Sequence, residues 1–178
     1  MRALKAICVT CLWLFLSLEA VGASTTTEPC RLPHDLQLQI AKKYASFRIV
    51  TLSDLGDDDK EMFQKDHPNA CPGMAEVDFY GDGKPTFALA LLVKRGSTED
   101  ANLLVVHQTA EGWNLRSLDG AEASVPVVWS QPPGKYDDIY GNKTIIARHP
   151  VIVFCGYNSW AIVYAWKSDH VEKVWLRD

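Results

Sequence analysis

Asp78 and Asp82 lie four residues apart in the segment 77–92, VDFYGDGKPTFALALL, and Gly81 and Gly83 flank the second carboxylate. Calcium loops bring carboxylate and carbonyl oxygens to the ion from alternate positions of a tight turn, with glycine where the chain bends sharply. On that template Asp78 takes the first position, Asp82 the fifth, the Lys84 carbonyl the seventh and Thr86 the ninth. Tyr80 at the third position and Leu89 at the twelfth offer no carboxylate. Two readings therefore stand side by side. One is a weak calcium site of Asp78, Asp82, Lys84 and Thr86. The other is a hairpin turn whose glycines adopt positive φ and whose aspartates bond backbone donors, with no cofactor.

Other arrangements of reactive residues are weaker. A Cys–His nucleophile needs an exposed, low-pKa thiol, and Cys155 sits in the apolar run VIVFC. The five histidines, His34, His67, His107, His149 and His170, form no zinc-binding pair at helical spacing. Ser159 in YNSWA lacks the glycine-flanked elbow of hydrolases. Asp137 and Asp138 are adjacent, so they do not face each other across a sugar as glycosidase carboxylates do. Asp57, Asp58 and Asp59 read as cap and first-turn charges at a helix start. The chain is expected not to be an enzyme.

Stepping outward from the turn, the elements that must hold it can be read in order. Residues 32–45 place Leu32, Leu36, Ile40 and Tyr44 on one helical face, with Pro33 in the first turn. Residues 47–53, FRIVTLS, read as a strand, and a second short helix runs from Asp57 to before Pro68. Beyond Met74 the pattern is β. Residues 87–93 are apolar on both faces, as in a central covered strand. Further strands are expected at 102–109, 113–118, 125–129, 151–157, 160–166 and 171–176, with 135–142 a polar loop. The fold class is α+β, with two N-terminal helices packed on one face of a largely antiparallel sheet.

The first residues read as a secretory leader. Arg2 and Lys5 precede an uncharged run of 13 residues at 6–18, and Val21 to Ala23 offers a cleavage site. That run is shorter than the ~20 residues a bilayer requires. Residues 24–29 are then a linker, and 30–178 a single domain. Removing 1–23 takes Arg2, Lys5 and Glu19, and moves the net charge from −4 to −5. An acidic chain of this kind argues against a nucleic-acid partner. Cys30 and Cys71 lie in proline-flanked loops and are the natural disulfide pair in an oxidising compartment, with a pairing through Cys155 still open. The expected location is secreted or periplasmic.

Residues 30–92 and the ending VYAWKSDHVEKVWLRD resemble a group of uncharacterised bacterial secreted proteins. In these a CPG segment precedes a single Asp-Phe-x-Gly-Asp-Gly-Lys-Pro hairpin, matched here by Asp78, Phe79, Gly81, Asp82, Gly83, Lys84 and Pro85. Trp166, Trp175 and Asp178 match their ending. The hairpin itself resembles the turns of FG-GAP and VCBS proteins, which bind calcium through more aspartates. The resemblance implies export and no particular activity.

Trp113, Trp129, Trp160, Trp166 and Trp175 are the remaining lead. They either build the core or present an aromatic face to a protein or glycan partner in the cell envelope, with Tyr136, Tyr140 and Trp160 as contacts. The functional expectation is a non-enzymatic binding module. The alternatives are an inhibitor or immunity-type protein that blocks a cell-wall hydrolase or toxin, or a hydrolase of unrecognised type. Asn142-Lys143-Thr144 is a glycosylation sequon if the source is a eukaryote.

Overall fold

The computed structural model describes residues 29–121, 125–157 and 159–177. The expected leader, 1–23, lies outside them, as does the linker up to residue 28. Helix α1 spans His34–Lys43, with Pro33 as its N-cap and Leu36 and Ile40 buried. Strand β1 is Phe47–Ile49 and helix α2 is Asp57–Asp66. Nine of the later segments form β2 (Met74–Glu76), β3 (Thr86–Arg95), β4 (Thr98–Thr109), β5 (Gly112–Ala121), β6 (Val127–Gln131), β7 (Gly134–Asp137), β8 (Thr144–Ala147), β9 (Val151–Gly156) and β10 (Trp160–Lys167). Strand β11 (His170–Arg177) follows. The described residues are thus mostly antiparallel β-structure with two helices, an α+β arrangement. Among them no helix is long and apolar enough to cross a membrane.

The strands make two main sheets where one was expected. The first is ordered β1-β3-β4-β5 with β2 also paired to β3; the second is β11-β10-β9-β6. Successive residues of β3 serve two different cores. Ala88, Ala90 and Leu92 join Leu103 and Val105 of β4 against Phe154, Ile162 and Tyr164 of the second sheet. Leu89, Leu91 and Val93 join Leu104 and Val106 under Leu36 and Ile40 of α1. The expected central, doubly covered strand is therefore present, with β4 on one side and β1 and β2 on the other.

The helices do not share a face. Helix α1 covers the outer side of the first sheet, tied to β5 by the Trp113 indole N–H donating to Asp35 at 2.6 Å. Helix α2 lies over the second sheet, where Phe63 and His67 meet the rings of Tyr157 and Trp129. A few apolar residues per helix cannot specify which sheet face they cover, so a one-sheet reading placed both together. Residues 47–53 form only three residues of strand before a 3-10 turn, Leu52–Asp54, in which the Asp54 carboxylate accepts the Thr51 N–H.

A polar segment read as a loop is also corrected. Residues 134–137 are a strand, β7, paired with β8 in a separate hairpin. Only Tyr136 of β7 turns inward, and four residues are too few for a period-two signal. The hairpin packs along β10 and β11, and the Lys143 ammonium reaches Glu172 of β11.

Cys30 and Cys71 are bonded, with Cα atoms 5.0 Å apart. Cys155 is a buried free thiol, and burial pushes its pKa up to about 12.

One polar clasp joins the sheets. The buried Tyr164 hydroxyl donates to Asp119 of β5 at 2.6 Å, and Lys173 of β11 reaches the same oxygen at 2.7 Å. Partial burial opposes ionisation of Asp119. The bonds from Lys173, Tyr164 and the Gly120 N–H outweigh it and hold the carboxyl below the usual range. A depressed native pKa means that this stabilisation is present above the unfolded value of about 3.9 and is lost as pH falls through and below it. Asp119→Ala strands the Tyr164 hydroxyl and is expected to cost about 1–3 kcal/mol at neutral pH. Urea melts at neutral pH and near pH 3 test this, since the gap between variant and parent should narrow in acid.

Candidate functional site

The Asp78–Thr86 turn folds as a compact hairpin entry to β3. Gly81 and Gly83 both have φ of 71°, a region that only glycine enters without steric cost. Asp78 accepts the Gly83 N–H and Asp82 accepts the Lys84 N–H, each at 3.2 Å. The second Asp82 oxygen faces His107 Nε2 at 3.2 Å and Lys84 Nζ at 3.8 Å. Some loss of hydration opposes the charge on exposed Asp82, but the Lys84 N–H and the His107 and Lys84 side chains hold its carboxyl below the usual range. Thr86, 1% exposed, bonds His107 Nδ1 at 2.8 Å, and its hydroxyl lies 3.4 Å from the Lys84 carbonyl.

The four residues expected to hold calcium are thus brought together, and Asp78 and Asp82 each give one oxygen to a backbone N–H of the turn. Among the described residues no group of three or more His, Cys, Asp or Glu side chains is placed to share a metal ion. His107 is the residue that sequence reasoning missed. It sits far along the chain on β4, opposite Thr86 in the β3–β4 register, and only that pairing reveals it. Asp82, His107 and Thr86 have the outline of an acid–base–hydroxyl relay. With the Thr86 hydroxyl buried, the three tie the turn to β4.

Aromatic rings surround this anchor. Tyr80 meets the His107 ring at 4.4 Å and the Trp166 ring at 4.9 Å, and Arg116 lies 5.8 Å over Trp166. Burial raises the Tyr80 pKa. A Cβ built on Gly81 would overlap the His149 ring, whereas one on Gly83 meets open space. Both alanine substitutions carry the backbone cost of positive φ, about 1–2 kcal/mol. Gly81→Ala adds the clash and should melt well below Gly83→Ala. His149→Ala in the Gly81→Ala background should recover the difference, and equal melting of the two single variants would refute the contact.

A groove of about 540 Å³ adjoins the cluster. Thr144, Ile146 and Arg148 line one wall, and Trp166, Lys167 and Ser168 the other, with His149 between. Compared with protein-family models, with curated proteins and with solved structures, the chain finds no match.

The expected partner contacts are placed differently from one another. Tyr140 is 53% exposed in the β7–β8 turn. Tyr136 packs on the core and donates its hydroxyl to the Pro132 carbonyl at 2.5 Å. Trp160 is half-buried, edge-on to Phe154 at 5.1 Å. All five tryptophans expected in the mature chain are half-buried and pack against one of the two cores, so they do not form an exposed aromatic face. The exposed apolar surface lies elsewhere. Ile146 is 75% exposed and Ile139 47%, both on the β7–β8 hairpin with Tyr140, and Ile139 donates its N–H to Trp175 at 2.8 Å beside exposed Leu176. The alternation Thr144, Ile145, Ile146, Ala147 carried this signal. It was masked because a single outward isoleucine looks like one more core residue until the register is known.

Proposed function

We propose that the protein is an exported, non-enzymatic binding module that engages a protein partner through the β7–β8 hairpin. The observation that carries the reading is the exposure of Ile139, Tyr140 and Ile146 on one small hairpin, with Ile139 bonded to Trp175 beside exposed Leu176. Large side chains of this kind are what interfaces bury. Export is supported by the leader-like start of the sequence and by a disulfide of the kind that persists in oxidising compartments. The resemblance to secreted bacterial proteins with one Asp-Gly hairpin points the same way. A catalytic role finds little support, since Cys155 is buried and His67 and His107 are spent on ring stacking and turn bonding.

Affinity capture from envelope extract tests the reading. The parent and a Leu38→Asp control on exposed α1 should retain one stoichiometric protein, and Ile146→Asp should lose it. Equal retention by Ile146→Asp would refute the hairpin as the contact. If the retained protein is a hydrolase or toxin whose activity falls on binding, the module is of the inhibitor type.

The module is proposed to work without a cofactor, because Asp78 and Asp82 already accept turn N–H bonds. Millimolar calcium should leave its melting temperature unchanged. A calcium-dependent rise that disappears in Asp82→Ala would overturn this, since saturation at about 100 times Kd adds roughly 2.7 kcal/mol.

A further inference from the structure

We infer that the groove beside β8 takes an acidic peptide: an extended segment of the partner whose carboxylates meet Arg148 and Lys167 and whose apolar side chain covers Ile146. The inference rests on the binding-module reading and names the chemistry of the partner's contacting segment.

The argument begins with strand geometry. Ile145 and Ala147 are buried, so Thr144 and Ile146 project outward from β8, and exposed Arg148 follows in the bend just past its end. Thr144 and Ile146 keep the spacing of alternate strand residues, about 6.6–6.8 Å. An extended peptide repeats its own alternate side chains at the same interval, so apolar Ile146 and the cation beyond it face successive outward side chains of one partner strand. Among the described residues β8 pairs with β7 alone, which leaves it a strand edge. Edges of this kind take added strands, whose alternate side chains supply the specificity.

Charge then selects the partner. The protein as a whole is acidic, with a net charge of −4, but this groove is basic. Arg148 makes no hydrogen bond or ion pair with any described residue. Lys167 shares one carboxylate, Glu172, with Lys143 and His170 at 3.2, 3.8 and 3.6 Å respectively. In the hairpin, Asp137 is already held by Lys135 and the Thr144 hydroxyl, and Asp138 accepts the Trp175 N–H. His170 is held in turn by Asp169 at 2.8 Å, and among the described residues the groove lining itself carries Arg148 and Lys167 but no carboxylate. Trp166 on the far wall gives the segment a flat apolar surface, itself held by Tyr80 and Arg116.

Fluorescence anisotropy with the exported full chain tests the inference. The probe is a fluorescein-labelled octapeptide of alternating glutamate and valine, compared with the same peptide carrying glutamine for glutamate. The glutamate peptide should bind at least about tenfold more tightly, a difference of about 1.4 kcal/mol. Arg148→Ala combined with Lys167→Ala should abolish that preference while circular dichroism stays unchanged. Raising salt from about 0.01 to about 1 M, which shortens the Debye length from about 30 to about 3 Å, should weaken binding. Equal affinity for the two peptides, no binding at all, or an unchanged preference in the double variant would overturn the inference. Tighter binding of polygalacturonate, lost in the same variant, would also overturn it and assign the groove to an anionic glycan. The capture experiment separates the two levels. A partner lost by Ile146→Asp but retained by the double variant defeats the acidic peptide and leaves the binding module standing.

Discussion

Leu91→Asp is expected to leave no cooperatively folded protein. Leu91 is fully buried on the α1 side of β3, in one core with Leu36, Ile40, Leu104 and Val106. Removing the leucine side chain from such a site costs about 2–5 kcal/mol. Placing an unpaired carboxylate there adds several kcal/mol more, or forces it to take up a proton. The sum is comparable to the 5–15 kcal/mol that holds a typical domain together. Leu91→Ala should by contrast stay folded and lose only the first of these contributions. Far-UV circular dichroism and thermal melts of both variants decide the matter. A Leu91→Asp protein that melts near the parent would show that β3 is not covered on both sides.

The second large effect is loss of the disulfide. Cys30 and Cys71 are separated by 41 residues, and closing a loop of that size restricts the unfolded chain by about 4 kcal/mol in the chain-entropy account. The bridge is also well placed in the native state. Both sulfurs lie within 3.9 Å of the Val50 carbonyl oxygen, and the Val50 N–H donates to Ala90 of β3 at 3.1 Å. Next to Cys71 and Pro72, a Cβ on Gly73 would overlap the Val50 backbone. The bridge therefore fixes the chain before α1 and the entry to β2 around one point of the first sheet. Replacing both cysteines by alanine should lower stability by about 4 kcal/mol and the melting temperature by about 8–16 °C. A loss below about 1 kcal/mol would mean that the unfolded chain is already restricted there by other means.

Much of the frame was legible in the sequence because the signals were local and strong. The period-four spacing of Leu32, Leu36 and Ile40 marks α1, and the run 87–93 marks β3 as a strand covered twice. The pairing of Cys30 with Cys71 follows from the loop character of both sites. What the sequence did not disclose depends on non-local pairing. The division into two sheets rests on which strands share an edge, and local hydrophobicity is the same whether β9 joins β4 or β10. His107 reaches Asp82 only through the β3–β4 register. The β7–β8 hairpin escaped notice because its inward residues, Tyr136 and Ile145, are too few for a periodic signal. The candidate site suffered the most from this. Its turn was visible as a motif, but the outward placing of Thr144 and Ile146, with Arg148 just beyond, emerges only once β8 is known to be a strand.

The division of labour along β3 bears on how the chain avoids misfolding. At its middle the small side chains Ala88 and Ala90 face the second sheet, with Leu92 beyond them, and the large Leu89 and Leu91 face α1. Slipping β3 by one residue against β4 would exchange these sets, because side chains alternate between faces. Leucines would then be forced between two sheets spaced for alanine, and alanines would leave voids beneath the helix. In a sheet with one wet face such an error is opposed by burial on one side alone. Here it is opposed by crowding on one side and by cavities on the other, so β3 proofreads its own alignment twice.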